Sequence, residues 1–299
     1  MNILIIGSEG FIGGHLVTHF CNSCTVYGID LVPLPTQLYT YWQNTKNDKV
    51  LESAFRDNHF DICINAAGNG NVAYSFEHPD YDFELNVSQT HGLLEVLRKY
   101  QPHCAYLHLS SAAVYGNPKA LPISETNTIN PLSPYGWHKY LAEILCKEYQ
   151  ATFSLKIAIL RPFSIYGPGL KKQIFWDLFQ KYRLDSSQID IWGTGDESRD
   201  FIFIKDFCKC VQIVIEKGEF EGSVYNIGVG EEMKISRAVE IFFSNLNSGI
   251  KIKFDNQTKT SNPLNWRADI SKISKLGFAP EYSFEDGIFQ VTKWIQSQN

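Results

Sequence analysis

Asn2-Ile3-Leu4-Ile5-Ile6-Gly7-Ser8-Glu9-Gly10-Phe11-Ile12-Gly13 is the stretch from which the rest of the chain can be read. Its apolar run of four reads as a strand covered on both faces, where no polar alternation is needed. Glycines then let the backbone turn sharply and come close to a ligand, and Phe11–Phe20 reads as the helix that follows. The start of a helix carries unpaired N–H groups and the positive end of the peptide dipole, so it favours an anion. A glycine turn alone is weak evidence, because glycines also simply break strands. Here a second buried strand, Thr25–Ile29, ends at Asp30, about 20 residues on, where a carboxylate can hold a ribose diol and repel a 2′-phosphate. The pattern predicts NAD, with NADP as the lesser alternative, held by Gly7, Gly10, Phe11, Ile12, Gly13 and Asp30.

Working outward, Ile62–Asn65, Ala105–Leu109 and Leu155–Leu160 are further apolar runs of strand length. Helical patterns lie between them at Tyr81–Lys99 and Tyr135–Ala151. Buried strands alternating with helices predict an α/β fold, a doubly wound parallel sheet with right-handed crossovers. Asn65-Ala66-Ala67-Gly68 falls at a strand end, placing Ala66 and Ala67 beside the adenine part of the cofactor. Asp61 reads as a carboxylate at a strand entry that holds a neighbouring loop. After about Arg161 the order weakens into loops and shorter elements rich in Pro, Gly and aromatic residues. Helical patterns return at Phe207–Glu216, Ser236–Leu246 and Phe284–Ile295, with a strand at Ser223–Ile227. The expected division is a dinucleotide-binding domain of residues 1–165 and 199–230 with a smaller, mixed α/β substrate domain of residues 166–198 and 231–299.

Composition excludes several classes. With 44% hydrophobic and 20% charged residues the chain is that of a globular protein, and a net charge of −5 gives no reason to expect a nucleic-acid partner. Seven cysteines are an odd number without regular spacing; Cys21-x-x-Cys24 lacks the second pair a zinc site needs, so reduced thiols and no metal are expected. The run Ile3–Ile6 has no basic flank and reads as no signal peptide, and no stretch approaches the about 20 apolar residues of a membrane helix. A soluble cytoplasmic protein follows as the expectation.

A second constellation carries chemistry. Ser110-Ser111-Ala112-Ala113-Val114-Tyr115-Gly116 puts hydroxyls at a strand end, and Tyr135-Gly136-Trp137-His138-Lys139 puts a phenol and an ammonium one helical turn apart. With 15 tyrosines in the chain such a spacing arises readily by chance, so the motif counts only beside the glycine turn. Lowering a phenol from a pKa near 10 to about 7 takes about 4 kcal/mol. One cation at about 4 Å supplies about that much at an effective dielectric near 20. Ser111, Tyr135 and Lys139 thus form a candidate acid–base device that oxidises an alcohol or reduces a ketone, with Tyr135 and Lys139 also against the cofactor.

These residues resemble the extended short-chain dehydrogenase/reductase family, the NAD-dependent sugar-nucleotide epimerases and dehydratases. The likeness takes in Gly7–Gly13, Asn86-Val87-x-x-Thr90, Ser110–Gly116 and Tyr135 with Lys139. It continues through Arg161-Pro162-Phe163-x-x-Tyr166-Gly167-Pro168, Gly193-x-Gly195-x-x-x-Arg199-Asp200-Phe201, Tyr225-Asn226-Ile227-Gly228 and Ala268-Asp269-Ile270-Ser271-Lys272. It implies a nucleotide-diphosphate sugar as substrate and a homodimer paired through the two long helices.

Departures narrow the reaction. Hexose dehydratases of this family carry Thr-Asp-Glu at the strand end, where this chain has Ser111-Ala112-Ala113; two methyl groups cannot shuttle a proton, so 4,6-dehydration is disfavoured. The absent Glu also argues against the decarboxylases and GDP-mannose dehydratases. GDP-fucose synthases place a Cys near this point, and none is present. What remains is 4-epimerisation, in the manner of UDP-galactose 4-epimerase-like members, or NAD(P)H-dependent reduction of a 4-keto-6-deoxy sugar nucleotide. A non-catalytic NAD-binding regulator is the alternative from another class, disfavoured by the intact Ser111, Tyr135 and Lys139. On the substrate side the resemblance implies contacts from Ser111, from Ser164 where the family often has Asn, and from Arg199 on a phosphate. Lys259 stands near a position where the family often has Arg, leaving either a point charge in its place or a lost contact. For Arg199 the plain structural reading is a salt bridge to Asp200 or Asp196. Lys171 and Lys172 read equally as diphosphate contacts or as a solvated helix start.

Overall fold

The computed structural model describes residues 1–33, 39–44, 49–246, 249–257 and 263–298. In chain order the elements begin β1 (Asn2–Ile6), α1 (Phe11–Phe20), β2 (Thr25–Asp30), β3 (Thr40–Gln43), α2 (Val50–Asp57), β4 (Ile62–Asn65), α3 (Val72–Glu77) and α4 (Pro79–Phe83). A π-helical turn at Glu84–Ser88 leads into α5 (Gln89–Tyr100), then β5 (Ala105–Leu109), a 3₁₀ turn at Ala112–Tyr115, α6 (Pro134–Phe153) and β6 (Ile157–Pro162). Next come β7 (Ser164–Tyr166), α7 (Gln173–Leu184), β8 (Gln188–Ile191), β9 (Ser198–Arg199), β10 (Phe201–Phe203), α8 (Ile204–Lys217) and β11 (Glu221–Ile227). The chain ends in β12 (Met233–Lys234), α9 (Ile235–Asn245), β13 (Lys251–Phe254), α10 (Ser271–Lys275) and α11 (Phe284–Gln296).

The chain divides into two compact units. The first comprises Met1–Gly116, Ile129–Pro162 and Val211–Tyr225. Its seven-stranded sheet has the order β11-β6-β5-β4-β1-β2-β3, and the pairings from β3 across to β6 are parallel. This is the doubly wound arrangement of a Rossmann fold, in which the order reverses between β1 and β4 and opens a crevice at the carboxyl ends of those strands. Ile3, Leu4 and Ile5 are wholly buried, each contributing about 1.5–3 kcal/mol relative to exposure. Apolar residues of α5 (Leu93, Leu94, Leu97) pack on the same core, as do Cys146 and Tyr149 of α6. Helix α6 starts where Ser133 accepts the Gly136 N–H at 3.1 Å with Pro134 in the first turn, and stops at Ser154 in the left-handed conformation.

Several sequence expectations need correction here. The helix expected over Tyr81–Lys99 runs unbroken from Pro79 to Tyr100 and differs from the expectation only in a π turn inside it, where the buried Asn86 donates its side-chain amide to Asp82. Strand β3 and helix α2 were not anticipated, nor was the twelve-residue α7 in a region read as loops and shorter elements; α7 buries Phe175, Leu178 and Phe179 on one face.

The second unit comprises Asn117–Thr128, Phe163–Cys210 and Asn226–Asn299. It holds three two-stranded sheets, β10-β7 and β13-β8 parallel and β12-β9 antiparallel. Its core is aromatic: the Phe175 ring lies 5.6 Å from Phe201, 5.5 Å from Phe242 and 5.9 Å from Tyr166. Asp200, fully buried, accepts N–H bonds from Val229, Gly230 and Ala268 and so pins two loops to one carboxylate. Among the described residues no helix is long and apolar enough to cross a membrane.

Candidate active site

The glycine turn is built so that only glycine fits. Gly7 has φ +81°, and a Cβ there would lie 2.8 Å from the Ala67 backbone N, at the end of β4. A Cβ on Gly13 would lie 1.9 Å from the Gly7 carbonyl oxygen, so α1 rests directly on the turn. Gly10 is the residue before α1 and offers no side-chain cap, which leaves the N–H groups of the first helical turn facing outward for an anion. Asp30 stands at the end of β2; its Oδ2 accepts the Glu9 N–H at 2.9 Å and its Oδ1 the Leu31 N–H at 2.6 Å. The carboxylate thus fixes the turn and keeps acceptor capacity beyond those two bonds. Close backbone approach, an uncapped helix start and a carboxylate on the next strand together fit a dinucleotide. Asp61 accepts the Asn2 N–H at 2.7 Å, the strand-entry role expected of it.

Ser111, Tyr135 and Lys139 come together in the first unit. Ser111 follows β5 in extended conformation, and its Oγ accepts the Ala113 N–H at 3.1 Å to begin the 3₁₀ turn. The Ser111 side chain acts on the Tyr135 phenol in the direction that favours its ionised form. Ser75 accepts the Tyr135 N–H at 3.1 Å and anchors the start of α6. One turn on, Lys139 donates its Nζ to the Leu109 carbonyl at 3.0 Å, and that Nζ lies 5.9 Å from the Tyr135 ring centroid.

The expected drop in the Tyr135 pKa is not found. Burial, opposed by Ser111 and helped by the charge of Asp82, pushes the phenol up to about 12. The helical spacing puts Lys139 on the same face as Tyr135, and its ammonium donates to the Leu109 carbonyl. The surroundings are polar yet closed. Burial and the Lys139 charge hold His108 near 3, so the imidazole is neutral. Its Nδ1 meets the Tyr106 hydroxyl at 3.1 Å, and Asn65 donates to that hydroxyl at 3.0 Å. On the other side a buried ion pair, Arg161 with Glu143 at 2.6 Å, takes a bond from Ser110 and gives one to the Tyr115 hydroxyl. This brackets the 3₁₀ turn that carries Ser111.

The second unit holds a cavity of about 340 Å³ lined among others by Asp177, Lys181, Trp192, Glu197, Arg199 and Leu264. Arg199 donates through Nη1 to the carbonyls of Ser198 and Leu264 and lies 5.5 Å over the Trp266 ring. Neither expected carboxylate pairs with it: Asp200 serves backbone N–H groups, and Asp196 pairs with Lys234 at 2.8 Å. Burial pulls its pKa down to about 10, the mark of a cation poorly compensated by its surroundings. Sequence reasoning did not pick out Asp177, Lys181 and Trp192 as lining residues; an aromatic residue directly before Gly193-x-Gly195 is the one local signal. Ser164 sits in β7, its N–H on the Asp200 carbonyl at 2.9 Å. Lys259 lies outside the described residues.

Residues 3–228 match the family described as the NAD dependent epimerase/dehydratase family. The chain belongs to that family. Among its relatives is a putative UDP-glucose 4-epimerase of Methanocaldococcus jannaschii, 30% identical over 99% of both chains. A dTDP-glucose 4,6-dehydratase of Salmonella typhimurium is 28% identical over 98% of this chain and 92% of its own. The crystal structure of a Bacillus cereus UDP-glucuronic acid 4-epimerase, in complex with UDP-glucuronic acid and NAD, superposes with a TM-score of 0.90 at 28% identity over the whole of both chains. Epimerase/dehydratase family members of both reaction types are thus similar to this chain to nearly the same degree, and the residues at the strand end must distinguish them.

Proposed function

We propose that this protein is an NAD-dependent sugar-nucleotide epimerase that inverts a sugar hydroxyl, at C4, through a transient ketone. One observation carries the reading: the Ser111 hydroxyl, just after β5, acts on the Tyr135 phenol to favour its ionised form, with Lys139 one turn along α6, while the positions that follow Ser111 are Ala112 and Ala113. The first three groups handle the proton of a hydroxyl; the two methyl groups offer no acid or base for loss of water.

NAD, when bound on the glycine turn and Asp30, supplies the hydride acceptor and, oxidised, one positive charge. Ser111 donates to the substrate oxygen and orients it. Tyr135 takes the hydroxyl proton as base and returns it as acid. Moving Tyr135 from about 12 to a working pH near 7 takes about 7 kcal/mol. Lys139 at 5.9 Å supplies about 3 kcal/mol at an effective dielectric near 20. The value of about 12 already includes Ser111, so the remaining about 4 kcal/mol is what a second positive charge at about 4 Å would supply, and the phenol is a base only in the loaded site. In the second unit Arg199, whose charge Glu197 offsets only in part at the cavity wall, is proposed to take the diphosphate, with Ser164 and Lys259 as further substrate contacts. The relatives point to a uridine nucleotide.

A homodimer belongs to the same reading. Trp137, Leu141 and Ile144 project from α6 at i, i+4 and i+7, are 37–49% exposed, and adjoin the exposed Tyr81 and Phe83 of α4. An apolar stripe of this kind on two neighbouring helices suits a second copy of the chain.

The test is to incubate the purified protein with UDP-glucose, UDP-glucuronic acid and their N-acetyl counterparts and follow the anomeric protons by NMR. A C4 epimer formed without consumption of added NAD(H), and lost in Tyr135→Phe, supports the reading. Net consumption of NAD(P)H with a 4-keto sugar nucleotide, or formation of a 4-keto-6-deoxy product, overturns it.

A further inference from the structure

Against the turn of α6 that carries Tyr135 lies a buried carboxylate that the reaction above does not use. Asp82, on α4, is fully buried. Its Oδ2 takes a 2.5 Å hydrogen bond from Nδ1 of His138, which lies on α6 between Tyr135 and Lys139. Its Oδ1 takes bonds from Asn69 Nδ2 at 2.6 Å and Asn86 Nδ2 at 3.2 Å. Asn69 belongs to the segment that follows Ala66, Ala67 and Gly68 at the end of β4. Asn86 sits in the π turn, and its Oδ1 faces Gly68 so closely that a Cβ there would be 2.6 Å away. Phe83 lays its ring perpendicular to His138 at 5.4 Å. Four segments therefore meet on one carboxylate: the segment after β4, α4, the π turn and the catalytic helix.

We propose that Asp82 and His138 form a positioning pair for the proton transfer, clamping the catalytic helix to the segment after β4 and presenting a buried negative charge to Tyr135. The proposal rests on Tyr135 being the proton-transfer residue. Its sign is clear from electrostatics: a fixed negative charge disfavours a phenolate and keeps the proton on the phenol. The direction found for Tyr135 agrees, since the Asp82 charge contributes to raising it. The charged or polar groups around the phenol are Asp82 from α4, Ser111 from the 3₁₀ turn, and His138 and Lys139 from α6 itself. Glu143 on α6 is spent on Arg161, and α3 contributes Ser75, which holds the backbone.

Asp82→Asn separates charge from shape, because an amide can keep its oxygen on Asn69 and Asn86 and turn its NH2 toward His138. The readout is the tyrosinate absorbance titration of NAD-loaded protein, taken as the difference between each form and the same form carrying Tyr135→Phe. A unit charge on the order of 10 Å away at an effective dielectric near 20 predicts a downward shift of the Tyr135 titration of about one pH unit. Asp80→Asn, an exposed neighbour on the same helix, is expected to leave it in place. His138→Leu tests the clamp: amide exchange is expected to speed up about tenfold at residues 68–71 together with the first turn of α6. An unchanged Tyr135 titration in a folded Asp82→Asn protein overturns the proposal, as does faster exchange confined to α6. If Asp82→Asn does not fold, the His138→Leu exchange map decides alone. Neither readout needs a substrate, so a protein inactive on every sugar nucleotide still answers the question.

Discussion

Replacing Lys139 by Met deletes one charge and leaves most of the side-chain volume and helix propensity. That charge lies 5.9 Å from the Tyr135 ring centroid, where it acts on a phenolate with about 3 kcal/mol at an effective dielectric near 20. A positive neighbour favours the phenolate, so its loss raises the pH at which the base form appears, by about two units. Near neutral pH the rate of a step that needs that base falls about a hundredfold. The measurement is kcat against pH on the epimerised nucleotide sugar, with NAD content determined on the same preparations by release on denaturation. Lys139 also serves the Leu109 carbonyl at 3.0 Å. Losing that bond costs about 1 kcal/mol of stability, which a thermal melt separates from the catalytic effect. A uniform loss of rate at every pH with NAD retained would refute the electrostatic role, leaving Lys139 as a positioning group only; an unchanged rate would refute both.

Gly13→Ala pushes a methyl group to within 1.9 Å of the Gly7 carbonyl; we expect several kcal/mol of destabilisation and loss of NAD binding, read by thermal melting and by cofactor titration. His108 is held near 3, below its unfolded value of about 6.5, so between those values only the unfolded chain binds its proton. Stability therefore falls by about 1.4 kcal/mol per pH unit as the solution is acidified through that window. His108→Asn removes this slope, and urea unfolding at several acidic pH values would show it; an unaltered slope means the ring is already protonated in the folded protein. Trp137→Lys combined with Ile144→Lys is expected to convert a dimer of the 34.1 kDa chain into a folded monomer in sedimentation, and a wild-type protein that is itself monomeric would end that reading.

The first strand, the glycine turn and α1 were legible in the sequence because each depends on neighbours within a few positions. A continuous apolar run, a glycine where φ turns positive and a periodic stripe are local instructions, and β1, α1 and β4 begin and end where these signals put them. The candidate site was legible for the same reason, since Tyr135 and Lys139 are one helical turn apart. Edge strand β3 was missed because it is four residues long and only partly buried; helix α2 is clearly amphipathic but only eight residues long.

What the sequence could not carry is how the groups act on one another. The helical period puts Lys139 on the face of Tyr135, but not its Nζ on the Leu109 carbonyl. The acidity of Tyr135 is set by burial, and burial is a property of everything packed around it, Ser75 from 60 positions away included. Asp82 and His138 are 56 positions apart, and no periodicity links them. Arg199 was readable as a cation; that neither Asp196 nor Asp200 takes it depends on loops that bring Val229, Gly230 and Ala268 to Asp200. Sequence alone determined the family, the sheet order's local pieces and the candidate reactive groups, because those rest on local chemistry. The tertiary structure decided their charge states and partners, because electrostatics depends on distance in space and on exclusion of water, neither of which is written along the chain.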